Sequence, residues 1–240
     1  MYEPLKITAW LQCGVVSDAY LPIDAILYYQ VYREAYGPET ITLPGANNSG
    51  VESVPVPLQR RGLPYDGFRY GDGAPLYQGQ EERFHVRNRD VPWYYAASFA
   101  QWGGAVAEGQ DHWNKRFDQS LADLVDFGGK RGKVIVEQGV YKAYHMPVWY
   151  RHALSVHWHV VGDGEAIGRL LSCTTHIGKK HAQGWGSVLR WRVEPWGHDW
   201  SVYGEHGQLL RAIPAATGIL TGYRPSYWMA KNQTICQVPK

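Results

Sequence analysis

Apolar and polar residues first alternate over positions 5 to 12. Leu5, Ile7, Ala9 and Leu11 would line one face and Lys6, Thr8, Trp10 and Gln12 the other, which is the period of a half-buried strand. The repeat then lengthens. Ile23, Ile26, Leu27 and Val31 recur at helical spacing, Pro22 suits a helix start, and Gly37-Pro38 is a stop signal, so one helix is expected. From Pro38 to about Pro92 the chain is rich in Gly, Pro and aromatic residues. That mixture predicts an irregular, ordered segment running over the surface.

The stretch VPWYYAASFAQW reads as a strand, and the following GGAVAEGQDHWNKRFDQSLADLVDFGGKRGK as a short polar helix with flexible basic ends that projects from a sheet. Strand character resumes in KVIVEQGVYKAYHMPVWYR. Val156, Trp158 and Val160 then alternate with His157, His159 and Val161. After a Gly-Asp-Gly turn, Ile167, Leu170, Leu171, Thr174 and Ile177 share one helical face, with Asp163 as the N-cap. A last strand sets Leu189, Trp191 and Val193 against Val188, Arg190, Arg192 and Glu194.

This order predicts an α+β fold, a ferredoxin-like (RRM-like) βαββαβ core with two helices over one face of the sheet. The opposite face would be open and would carry Lys6, Trp10, His157, His159, Arg190 and Arg192. Sheets that bind RNA use such a mixture, with bases stacked on rings and phosphates held by cations. A merely solvated basic face is the plainer alternative.

Composition narrows the partners. The 240 residues hold 24 Lys and Arg against 22 Asp and Glu, a formal charge of +2, so a nucleic-acid site must be a local patch. There are 11 Trp and 17 Tyr against 5 Phe, a bias toward rings with polar edges that suits a wet interface. Cys13, Cys173 and Cys236 form no CxxC pair, which argues against a disulfide framework or zinc ribbon and fits a reducing compartment. With no signal peptide at MYEPLKITAW and no apolar run of membrane length, the expectation is a cytoplasmic protein without membrane contact.

The densest chemistry lies in HIGKKHAQGWGS, residues 176 to 187. Its spacing matches neither a P-loop nor a dinucleotide fingerprint, and it follows a helix where those motifs precede one. In one reading Gly178 ends the helix, and Lys179 and Lys180 compensate the helix dipole. In the other, Gly184 and Gly186 let backbone N–H groups approach a sugar-phosphate chain, with Lys179, Lys180 and His181 supplying charge. Both can hold together.

HIGKKHAQGWGSVLRWRV resembles the glycine-rich loop of the CRISPR-associated RAMP superfamily, and SVHWHVVG with DGEAIGRLLSCTT resembles the same half of that fold. The N-terminal strand and LPIDAILYYQVY helix look like the guide-capping branch, the Cas-five family. The Pro-rich N-terminal half and the tail TGYRPSYW are similar to the version found in type IV systems. The resemblance implies one RNA-binding domain over 1–240, with a thumb-like insertion at about 103–140 and a short C-terminal extension at about 195–240. It implies a non-catalytic subunit of a surveillance ribonucleoprotein that caps the 5′ handle of the guide crRNA, abuts the backbone and large subunits, and leaves contact with target DNA open.

On that resemblance, Gly178, Lys179, Lys180, His181, Gln183, Gly184 and Gly186 would hold handle phosphates, and Trp185 would stack on a base or pack under the loop. Arg190 and Arg192 would line the groove, while Lys115, Arg116, Lys130, Arg131 and Lys133 would clasp RNA or a neighbouring subunit. The competing expectation is a metal-independent endoribonuclease that processes precursor crRNA. Its candidates are Tyr141, Lys142, Tyr144 and His145 with His112, His152 and His181, although strand spacing divides YKAYH between two faces. No cofactor is expected. His157 and His159 at i and i+2, with His198, His206 and Cys173 elsewhere, read as a solvated pair and not as a metal site.

Overall fold

The computed structural model describes residues 1–18, 20–37, 55–62, 93–118, 120, 124 and 142–240. The central sheet has four strands, β1 (Glu3–Leu11), β4 (Gln101–Gly103), β7 (Ser155–Gly162) and β8 (Val188–Pro195), in the order β4-β7-β1-β8 with every pairing antiparallel. This is the strand order of a ferredoxin-like sheet. Helices α1 (Ile23–Tyr36) and α2 (Gly164–Ser172) supply its apolar cover. Leu5, Ile7 and Ala9 of β1 meet Val156, Trp158 and Val160 of β7, and Ile23, Leu27, Ile167, Leu170 and Leu171 close the core from the helices. The one polar atom that Trp158 brings inside is satisfied, its Nε1 donating to Leu21 O at 2.8 Å.

The local signals act as their chemistry dictates. Asp163 caps α2 by accepting the N–H of Ala166 at 3.0 Å, and Gly37, at φ 80°, ends α1 with its N–H on Arg33 O at 2.9 Å. Thr174 and Ile177 are buried as expected, yet α2 stops at Ser172, so a loop and not the helix delivers them to the core.

Three other expectations about the elements change. The expected strand over 91–102 is not continuous through its described part, 93–102: β3 (Trp93–Tyr95) pairs with β2 (Arg60–Gly62), isolated bridges follow at Ala97 and Phe99, and β4 is separate. Of the stretch 103–133 expected to hold a short polar helix, 119, 121–123 and 125–133 lie outside the described residues, and 107–115 is not helical. That segment is β5 (Ala107–Lys115), which forms a nine-pair antiparallel ribbon with β6 (Tyr144–His152), because AEGQDHWNK finds a partner strand that local propensity does not reveal. Leu189 is exposed while Val188 packs against the core, since a bulge opposite Trp10 and Leu11 shifts the face of β8 by one residue.

The outer face of the sheet is open only in part. After Pro195 the chain folds back, placing Trp196 and Trp200 with ring centres 5.4 and 5.1 Å from that of His159, and Lys6 Nζ lies 4.8 Å from the Trp196 ring centre. His159 is buried as a result, leaving Trp10, His157, Arg190 and Arg192 toward the uncovered half. The same C-terminal segment builds a second core. Strands β9 (Ile213–Gly222) and β10 (Gln233–Gln237) pair, and Ile213, Tyr223 and Cys236 pack with Tyr94, Phe99 and Val202. Among the described residues no helix is long and apolar enough to cross a membrane.

Candidate nucleic-acid interface

The glycine loop is woven into the turn after β1. Lys179 donates its N–H to Val16 O at 2.6 Å, Gly186 to Gly14 O at 2.8 Å, and Gln12 to Ser187 O at 3.0 Å. Cys13 adds a side-chain tie, its Sγ donating to Gly184 O at 3.1 Å and accepting from Ser187 N at 3.2 Å. Such close weaving leaves no room for a Cβ at two positions. At Gly178 (φ 82°) it would meet Val16 O at 2.4 Å, and at Gly186 (φ 76°) Ile177 O at 1.9 Å.

The roles expected of the glycines therefore change. Gly178 does not end α2, which closes six residues earlier with Cys173 as its cap, and Lys179 and Lys180 do not sit on its last turn. Gly186 serves the fold, because its amide is already bonded and it is buried. Gly184 (φ 86°) is the exposed glycine with open space over its Cα, although its own N–H closes the short His181–Gln183 turn on His181 O at 2.9 Å.

From this platform the loop reaches the ribbon. Trp185 stacks on Tyr150 of β6 with ring centres 4.6 Å apart and 25° between planes. Lys180, itself left-handed at φ 63°, sets its Nζ 4.0 Å from the ring centre of Trp113 in β5. Register explains why these partners face the loop. The pairs Gly109↔Tyr150, Trp113↔Met146 and Lys115↔Tyr144 lie on one face of the ribbon, and Trp113 and Tyr144 stack at 6.2 Å. Gly109 is needed there, since a Cβ would fall 2.3 Å from the Tyr150 hydroxyl. Arg151 exchanges two backbone bonds with Val15, 2.8 and 2.9 Å, and so anchors the ribbon base to the same turn.

The other expected residues divide. Lys179 is exposed and paired with Asp18 at 2.6 Å; His181 and Gln183 are exposed, and the His181 ring lies 5.4 Å from that of His176. Arg190 covers Trp10 across the strand pair at 4.0 Å, at the end of the sheet where the loop joins it. Arg192 is neutralised by Glu194 at 2.9 Å. Lys115 and Arg116 are exposed at the end of β5, while Lys130, Arg131 and Lys133 lie outside the described residues, as does Tyr141.

The opposite ribbon face carries His112 and His145, stacked at 4.5 Å and 6°, with His145 Nδ1 on Asn114 Oδ1 at 2.5 Å. YKAYH is divided as expected, with Tyr144 and His145 on opposite faces. On the sheet, burial pushes both His157 and His159 down to about 4, helped by the Lys6 charge, so both are neutral at pH 7. Their rings are 5.6 Å apart and nearly perpendicular, and among the described residues no three His, Cys, Asp or Glu side chains converge on one point.

Sequence reasoning missed Trp113 and Tyr150, and it named Tyr144 only as a candidate for RNA cleavage. A signal existed in the alternation of Tyr144, Met146, Val148, Tyr150 and His152, but it becomes a surface only once β5 supplies the partner register. What results is a surface where the rings of the ribbon meet the glycine-built loop, with Lys180 over Trp113 and Trp185 on Tyr150.

The elements together define an α+β protein with a ferredoxin-like sheet and a cationic, aromatic surface at one end. The family described as CRISPR type IV associated protein Csf3 matches residues 76–239, and the chain belongs to that family. The matched part contains the ribbon, the glycine loop and the C-terminal core. No curated protein matches the chain.

Proposed function

We propose that the chain is a non-catalytic subunit of a type IV CRISPR ribonucleoprotein that holds the 5′ handle of the guide crRNA and touches its backbone and large subunits. The observation that carries this reading is the meeting of loop and ribbon, with Lys180 over Trp113 and Trp185 on Tyr150. Stacking surfaces flanked by cations suit single-stranded RNA, whose unpaired bases offer faces to rings and whose phosphates need charge. In this reading 103–140 acts as a thumb-like insertion on a single RNA-binding domain, and the segment after 195 closes the rest of the sheet. Lys179, Lys180, His181 and Arg190 then serve phosphates, and Trp113 and Tyr144 serve bases.

The test is co-expression with the neighbouring open reading frames, followed by sequencing of the co-purified RNA. A uniform 5′ end is expected, together with loss of RNA from a Lys179→Ala, Lys180→Ala double variant that still melts as a folded protein. RNA retention unchanged in that variant removes the loop from the site.

The stacked His112 and His145 favour a second reading, metal-independent cleavage of precursor crRNA, because two imidazoles side by side can supply an acid and a base. Incubation with a repeat hairpin in EDTA decides between them. A site-specific product that disappears in His145→Ala selects the nuclease, and an intact hairpin selects the binding subunit.

A further inference from the structure

At the end of the sheet away from the glycine loop, two arginines share one indole. Gln59 donates its N–H to Val161 O at 2.8 Å and Ala97 bridges Val160, so β2 and β3 lie at the C-terminal end of β7. The loop instead joins the sheet where β1 ends and β8 begins. The central guanidinium carbon of Arg60 stands 4.3 Å from the Trp93 ring centre, and that of Arg224 stands 4.7 Å from it. A second ring steadies each group, Tyr95 at 5.8 Å for Arg60 and Tyr223 at 5.4 Å for Arg224. Arg224 Nε also donates to Asn232 Oδ1 at 2.7 Å.

Charge makes this arrangement unusual. Arg61, one residue along, pairs with Asp199, and the buried Arg211 has Asp24. Arg60 and Arg224 have no carboxylate partner among the described residues. Two cations held on one ring repel each other, and an anion bound to them offsets that repulsion. Because rings occupy the guanidinium faces, N–H edges are left to bind, and those forks match paired oxygens of a phosphate. Trp93 carries two guanidinium groups and a T-shaped contact with Tyr95, where Trp113 carries one ammonium, so the contact inferred here is with a backbone. The family's CRISPR association selects a nucleic acid over an acidic protein surface as the source of that anion.

We infer that Arg60 and Arg224, mounted on Trp93, form a nucleic-acid phosphodiester site separate from the surface where loop and ribbon meet. It binds without regard to sequence. Its position at the far end of the sheet lets it hold either a second, duplex segment or a further stretch of single-stranded RNA, and the probes distinguish these.

The experiment measures binding of the full chain to a short duplex DNA and to a single-stranded RNA of equal length over a range of salt. Each phosphate contact contributes about 0.9 to the slope of log K against log salt on duplex and about 0.7 on a single strand. Arg60→Gln, at the exposed member, should lower the slope by that amount on the probe that uses the site, while Arg60→Lys should keep it. Arg224→Gln should match Arg60→Gln, with its melting temperature measured because Arg224 also bonds Asn232. A slope unchanged by Arg60→Gln on both probes overturns the inference, as does a drop in affinity that salt does not affect. The effect of Arg60 should persist in a Trp113→Ala, Lys180→Gln background, so failure of the loop-and-ribbon reading and failure of this one give different results.

Discussion

Single residues in the loop separate folding from binding. Gly184 and Gly186 both have positive φ, but a Cβ at Gly184 meets nothing and at Gly186 runs into Ile177 O. Gly184→Ala should therefore cost only the left-handed strain, about 1–2 kcal/mol. Gly186→Ala should cost more, at least about 3 kcal/mol, because backbone must shift as well. Urea midpoints of the two variants check the ordering. Trp113→Ala leaves the loop amides bonded and removes a stacking surface, so RNA affinity should fall by about 1–3 kcal/mol for each base it holds while stability changes little. Filter binding alongside thermal melting measures both.

His157 and His159 give the residue scale a pH dependence. Their folded values, about 4, lie below the ordinary 6.5, so the unfolded chain binds more protons through that window. Their contribution to stability is fully present above pH 6.5 and is lost as pH falls from there toward 4. The urea midpoint should drop across that range with an uptake on unfolding that approaches about two protons. His159→Phe should flatten the drop, and a pH-independent midpoint in the parent protein would contradict it.

Among elements, the start of α1 and the C-terminal segment are joined by one buried ion pair. Arg211 donates to Ala97 O at 2.9 Å and Tyr223 O at 2.6 Å, also to Tyr95 O, and faces Asp24 at 3.8 Å. Tyr227 gives its hydroxyl to both Asp24 oxygens, 2.8 and 2.9 Å. Burial pushes the Asp24 carboxyl up, against the pull of Arg211, Tyr227 and the Ala25 amide. Removing one partner strands a buried charge. Asp24→Ala should destabilise by about 3–5 kcal/mol, whereas Asp24→Leu with Arg211→Met should lose less, as chemical denaturation of the variants would show. The ribbon depends on a different device, the Gly109 and Tyr150 pair that lets a ring lie flat across the neighbouring strand.

On the scale of the whole molecule, the segment after Pro195 completes the protein. It covers His159 with Trp196 and Trp200 and packs Ile213, Tyr223 and Cys236 on Tyr94 and Phe99. A chain ending at Pro195 would expose His159, Tyr94 and Phe99 and lose Arg211, so it should show a reduced near-ultraviolet circular dichroism and should aggregate. A truncated chain with native spectra would refute this role.

How much was legible can be traced to the range of each interaction. Alternation in Leu5 to Leu11 and Val156 to Val160, the Asp163 cap and the Gly37 stop act within a few residues, so sequence alone decides β1, β7, α1 and α2 and, through their order, the ferredoxin-like class. The concentration of glycine and lysine in residues 176–187 is local too, and it marked the loop that meets the ribbon. The conversion of AEGQDHWNK into a strand, the bulge that exposes Leu189 and the need for glycine at 186 depend on partners distant in sequence. So does the pairing of Trp113 with Lys180. Only the packed chain could decide these, because register and close approach are properties of two segments together, and neither segment carries them alone.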